Sequence, residues 1–224
     1  RDSSVTGVQT CALPIWITTA NPMAAWSKKK EPKLDVRLTV EDLGRIIKHA
    51  PPHLAWVLEV EWELGTRPGV TELFSLRWDD IDFGTSSIHV RGSKTRESNR
   101  IIPITQDFRL RLLEMKRSAQ TPFVIEYDGK PIKSIKRSLR TAVCRAGIIY
   151  NVRPYDVRHL FATVMLTGGA DLAAVAALLG HASINTTQAS YYHLLKGEKE
   201  RAVSLRPSLS PKPTGKVVKI HGRP

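Results

Sequence analysis

Arg67, Lys94, Arg158, His159, His181 and Tyr191 lie scattered over the latter two-thirds of the chain and bring together a phenol, two guanidinium groups, an ammonium and two imidazoles. Such a set suits phosphoryl transfer. Opening a phosphodiester without water or metal requires a nucleophile, cations on the non-bridging oxygens and an acid for the departing 5′ oxygen. Tyr191 is the candidate nucleophile, since a phenolate that attacks phosphorus conserves the bond as a phosphotyrosine and no nucleotide is needed for rejoining. Arg67 and Arg158 suit the clamp, because a guanidinium stays charged and offers two parallel donors to two phosphate oxygens. Lys94 could carry a flexible ammonium to the leaving oxygen.

The local contexts fit those tasks. Arg67 follows Gly65 and precedes Pro68-Gly69, a tight bend from which a long side chain can point into a cleft. Arg158 stands one turn into a helix whose start is signalled by Pro154 to Asp156. Glu72, shortly after Arg67, can orient that guanidinium or the lysine. Arg91, Arg96 and Arg100 surround Lys94, so a plain basic loop resting on backbone phosphates is the competing reading for this stretch, and all three arginines are candidate DNA contacts. Tyr191 and Tyr192 are adjacent, and helical neighbours point about 100° apart, so only one can face the phosphate. The spacing to His193 selects Tyr191 and leaves Tyr192 as the alternative nucleophile. Asp79, Asp80 and Asp82 lack companions at ligand spacing, and neither a metal nor a cofactor is expected.

The formal charge of +13 and pI near 10.0 favour a polyanionic partner, because each cation set against a phosphate releases condensed counterions. Charge alone does not decide the matter. Of the two cysteines, Cys11 and Cys144, the first lies in a doubtful terminal stretch, so no disulfide framework can be argued and a reducing cytoplasm is expected. No apolar run approaches the ~20 residues that span a bilayer, and no membrane association is expected.

Val5 to Ile15 reads VTGVQTCALPI, which looks like a translated sequencing-library adapter, so residues 1–15 are set aside as a non-native scar. Residues 16–33 read as a Pro- and Lys-rich linker or remnant of a missing domain, 34–196 as the catalytic domain, and 197–224 as a flexible tail with one short strand at Val217 to Ile220. Within the domain, helices are expected from Thr39, from Pro51 to Leu64, and over Thr71 to Leu76, Thr105 to Arg117, Pro131 to Ala146, Tyr155 to Leu166, Asp171 to Leu179 and Ile184 to Leu194. Between Ile81 and Ile104 the apolar period changes to two around the turn GSKTRESN, a β-hairpin with a basic tip. The fold class is mainly α with a small antiparallel sheet.

The stretches ELGTRPGVTELFSLRWDDIDF, VRGSKTRESNRIIPI, RPYDVRHLFAT and ALLGHASINTTQASYYHL together resemble the catalytic domain of tyrosine recombinases, the phage-integrase family. The resemblance implies that fold, with the hairpin lysine, Lys94, as general acid and the LLGH histidine, His181, on a non-bridging oxygen. It implies cleavage and rejoining of double-stranded DNA attachment sites through a 3′-phosphotyrosine, by a homotetramer that integrates or excises a mobile element. It also implies a core-binding domain upstream, and a bacterial or phage-encoded protein of the cytoplasm, associated with the nucleoid. Two departures stand out. Tyr155 occupies the place where the family usually has histidine or lysine, and Pro68-Gly69 lengthens the interval from Arg67 to Glu72. His159 reads as a supporting partner. The alternatives are a DNA-binding regulator or remnant that has lost turnover, and an enzyme like a type IB topoisomerase.

Overall fold

Thr39 starts the first helix as its sequence context requires: its hydroxyl accepts the Asp42 N–H at 3.1 Å, and α1 runs over Val40–His49. The structure, a computed structural model, describes residues 37–92 and 95–191. The expected scar, linker and tail, the strand at Val217 to Ile220, Lys94 and Tyr192 lie outside the described residues.

Helix α2, Pro52–Leu64, begins on a proline and ends at Gly65, whose φ of 58° is left-handed. A side chain there would also strike the ring of Phe161, only 2.5 Å from where a Cβ would sit, so glycine is required twice over. Strands β1 (Ile81–Asp82), β2 (Ser87–Arg91) and β3 (Asn99–Pro103) form an antiparallel sheet in that order, with Ile88 opposite Ile102 and Val90 opposite Arg100. Helix α3, Gln106–Arg117, is capped by Thr105. A second ribbon pairs β4 (Glu126–Tyr127) with β5 (Lys130–Pro131). Four helices complete the described chain: α4 (Lys136–Arg145), α5 (Pro154–Thr167), α6 (Leu172–Leu179) and α7 (Ile184–Tyr191).

Two expected helices differ. Thr71 to Leu76 yields a single 3-10 turn at Leu73–Ser75, because Glu72 turns its carboxylate back onto the main-chain N–H and guanidinium of Arg67 instead of continuing an α-helical ladder. The helix expected from Pro131 begins at Lys136; Pro131 is the last residue of β5. The mainly helical fold with small antiparallel sheets is otherwise as expected.

The core has two parts. The larger joins α1 to α5 and the sheet through residues such as Ile46, Leu58, Leu73, Ile88 and Leu139. The smaller gathers Phe161, Ala162, Leu166, Val175, Leu179 and Tyr191, and so holds α6 and α7 against the middle of α5. The junction between them brings the bend after α2, the strand β3, the start of α5 and the end of α6 together.

Candidate active site

Glu72 is the hub of that junction. Its side chain is buried and accepts from Arg67 Nη1 at 2.8 Å and from Arg100 Nη2 at 3.0 Å, while Arg158 Nη1 lies 3.8 Å away. Pro68-Gly69 does not separate Arg67 from Glu72, because the chain folds back so that the Arg67 N–H also reaches the carboxylate at 3.1 Å. Three guanidinium groups around one carboxylate leave a local excess of positive charge. In a site largely closed to water, such an excess favours an anion.

Arg158 is 1% exposed. Its Nη1 donates to the Gly65 carbonyl at 2.9 Å and its Nη2 to the Leu179 carbonyl at 2.6 Å, so the guanidinium is held by the ends of two helices. Burial lowers its affinity for its proton, though Tyr155 and Glu72 oppose that shift. The guanidinium also lies over the Tyr155 ring, 5.9 Å from its centroid. Arg67 is more open than Arg158, with 23% of its side chain exposed.

His181 follows Gly180, the left-handed residue that ends α6, and its Nδ1 is 2.7 Å from Thr187 Oγ1 on α7. Burial pushes its pKa down to about 4, with Arg158, Arg67 and Arg100 adding repulsion. The ring is therefore neutral at neutral pH, and a Thr187 hydroxyl that donates to Nδ1 leaves Nε2–H as a donor. Tyr191 is buried, and its hydroxyl lies 2.6 Å from His159 Nδ1. Burial and the neighbouring Tyr155 raise the phenol above its ordinary pKa, while Arg158 opposes them.

Arg67, Arg158, His181 and Glu72 thus meet, and Tyr191 stands beside them with His159 and Tyr155. In the basic hairpin, Arg100 departs from the expected contact with DNA. Arg100 turns inward, donating to the carbonyls of Leu178 (2.6 Å) and Ser98 (3.0 Å) as well as to Glu72, so its donors are committed to the protein interior rather than to a DNA backbone. Strand parity carried the signal, since Arg100 shares a face with buried Ile102 while Ile101 is exposed. Arg96 is exposed, and Arg91 pairs with Asp80 at 2.6 Å while most of its side chain remains open. Among the described residues no cluster of His, Cys, Asp and Glu is arranged to hold a metal, and no helix is long and apolar enough to cross a membrane.

The phage integrase family matches residues 36–198. The chain belongs to that family. It is 36% identical over 157 residues to the tyrosine recombinase XerC of Oceanobacillus iheyensis, covering 64% of this chain and 50% of that protein. The chain spans about half the length of the curated relatives it matches. The crystal structure of XerA recombinase is similar with a TM-score of 0.61 and 28% identity, over 80% of this chain and 68% of XerA. A lambda integrase dimer bound to a COC′ core site shares the fold, with a TM-score of 0.64 at 22% identity over 77% of this chain and 52% of that one. Within this integrase domain the interior placement of Arg100 adds a third cation to the carboxylate hub, a feature that the motif residues alone did not disclose.

Proposed function

We propose that this chain is the catalytic part of a site-specific DNA recombinase that cleaves and rejoins DNA through a 3′-phosphotyrosine. The observation that carries the reading is the convergence of Arg67, Arg158 and His181 around Glu72, with a buried tyrosine hydroxyl in the adjoining core. The cations would hold the non-bridging oxygens and stabilise the charge that grows on them in the transition state. Tyr191 Oη would form the bond to phosphorus as the bond to the 5′ oxygen breaks. Lys94 would give that oxygen its proton. Arg91 and Arg96 would rest on backbone phosphates and position the duplex.

The partner is double-stranded DNA at attachment sites, bound by a homotetramer during integration or excision of a mobile element. The +13 charge supports a polyanionic partner, and the lambda integrase dimer that shares this fold is bound to a COC′ core site. The proposed setting is the bacterial cytoplasm, at the nucleoid.

Incubation with a nicked suicide duplex, carrying the attachment site recovered from flanking DNA, tests the reading through a detergent-resistant protein–DNA adduct. An adduct lost with Tyr191→Phe and kept with Tyr192→Phe is expected. Loss with Tyr192→Phe alone would move the nucleophile by one residue, and absence of any adduct while DNA is still bound would favour the regulator. Relaxation of supercoiled DNA without an attachment site would point to topoisomerase action.

A further inference from the structure

His159 directly follows Arg158 on α5, and Tyr155 lies one turn earlier on the same helix face. The Tyr155 and His159 rings meet edge to face with centroids 4.9 Å apart, and the imidazole then approaches Tyr191 on α7, with ring centroids 5.8 Å apart. Its Nδ1 is 2.6 Å from the Tyr191 hydroxyl, the atom that the recombinase reading requires to attack phosphorus. That distance is within reach for direct proton transfer. Tyr155 is a poor alternative acceptor, because a neutral phenol has little basicity.

Resting on that reading, we propose that His159 is the catalytic base of strand cleavage, taking the Tyr191 hydroxyl proton at Nδ1 as Oη attacks. The electron pair of the O–H bond becomes the new Oη–P bond. The P–O bond to the 5′ oxygen breaks, and the leaving oxygen takes a proton from the general acid assigned to Lys94. His159 becomes an imidazolium, and on rejoining, its proton returns to Tyr191 as the Oη–P bond opens. Charge and protons balance without a co-reactant.

The surroundings keep the imidazole in its unprotonated form, the form that can accept a proton. The groups facing His159 are Asp156, Arg158, Arg153 and Tyr155 from α5 and its cap, and Tyr191 from α7. Burial lowers the imidazole pKa below its ordinary 6.5, with Arg158 and Arg153 adding to the fall and Asp156 opposing it. A lone pair is thus free at neutral pH. Burial of Tyr191 has the opposite effect on the phenol, which therefore needs a base beside it to ionise.

His159→Asn keeps a polar atom near the Nδ1 position and removes its basicity. In the full chain on the suicide duplex, the variant should form adduct about 10²–10⁴-fold more slowly at pH 7. The wild-type rate should rise with pH through a histidine step below 6.5 and then level, whereas the variant rate should keep rising toward phenol ionisation. Wild-type speed with an unchanged pH profile, or faster cleavage, would overturn the assignment. DNA binding and circular dichroism check that the variant is folded. A second readout does not depend on turnover: nitrogen-15 NMR of the labelled full chain should find His159 Nδ1 unprotonated at pH 7 and shifted by Tyr191→Phe. A protonated Nδ1 would overturn the proposal even where wild-type protein forms no adduct, an outcome that counts against the recombinase reading instead.

Discussion

Arg100 on β3 and Leu178 near the end of α6 are joined by a 2.6 Å hydrogen bond from Nε to the main-chain carbonyl, across 78 residues of sequence. The same guanidinium reaches Glu72, so one side chain connects the hairpin, the carboxylate hub and the helix end that carries His181. Removing it with Arg100→Ala should destabilise the fold by about 3 kcal/mol, since a buried carboxylate loses one partner and two carbonyls lose their donor. Arg100→Lys should lose less, because charge survives and the fork does not. Urea midpoints of the two variants check both the size and the order.

Gly180 lies against that guanidinium. Its φ is 66°, and a Cβ would come within 2.7 Å of Arg100 Nη1 and 3.0 Å of the Glu97 carbonyl. Gly180→Ala should cost more than about 1 kcal/mol from the backbone alone and displace the adjacent His181. Adduct formation should fall by about 10²-fold, the usual penalty for roughly an ångström of misplacement in a reacting site. Full adduct formation with an unchanged urea midpoint would show that the turn adapts.

His181 makes the fold sensitive to acid. Its pKa falls to about 4 in the folded state from an ordinary 6.5, so the unfolded chain binds this proton more readily. Stability from this group is therefore complete above pH 6.5, declines as the pH falls from 6.5 toward 4, and levels off below that. The whole effect is at most on the order of 3 kcal/mol and is reduced by solvent at a partly exposed ring. His181→Asn should flatten the difference in thermal midpoint between pH 7 and pH 4.5, which melting curves at the two pH values would measure.

Glu61 carries the opposite pH signature. It is wholly buried on α2, and neither carboxyl oxygen has a hydrogen-bond partner. Burial holds its pKa well above the ordinary 4.5, with nearby Arg158 pulling it down and Asp156 pushing it up. Stability from this group is fullest below pH 4.5 and is lost as the pH rises toward the folded-state pKa. Glu61→Met, similar in size and without polar atoms, should match or exceed wild type, with a larger advantage at pH 8 than at pH 5. A constant or reversed gap in urea midpoints would mean that the carboxylate finds a partner in solution.

The sequence carried several helix ends because they are encoded locally: Thr39 and Thr105 cap helices with their own hydroxyls, and Gly65 ends α2 in the left-handed conformation that glycine allows. The 3-10 turn at Leu73–Ser75 was not legible, since the hydrogen bonds that prevent an α-helix there come from a carboxylate folding back on Arg67. Arg67, Arg158, His181 and Tyr191 could be named in advance because the stretches that carry them resemble the motifs of the phage-integrase family. The inward course of Arg100 depended on Leu178, and the partners of His159 and His181 on α7, contacts that only the folded chain creates.

Leu178 and Leu179 present consecutive carbonyls at the end of α6, one to Arg100 and the other to Arg158. The two cations are consequently moored to a single quay. A small rotation of that helix end would slacken both lines in the same motion, and the positively charged face would lose its alignment as a unit rather than one arginine at a time.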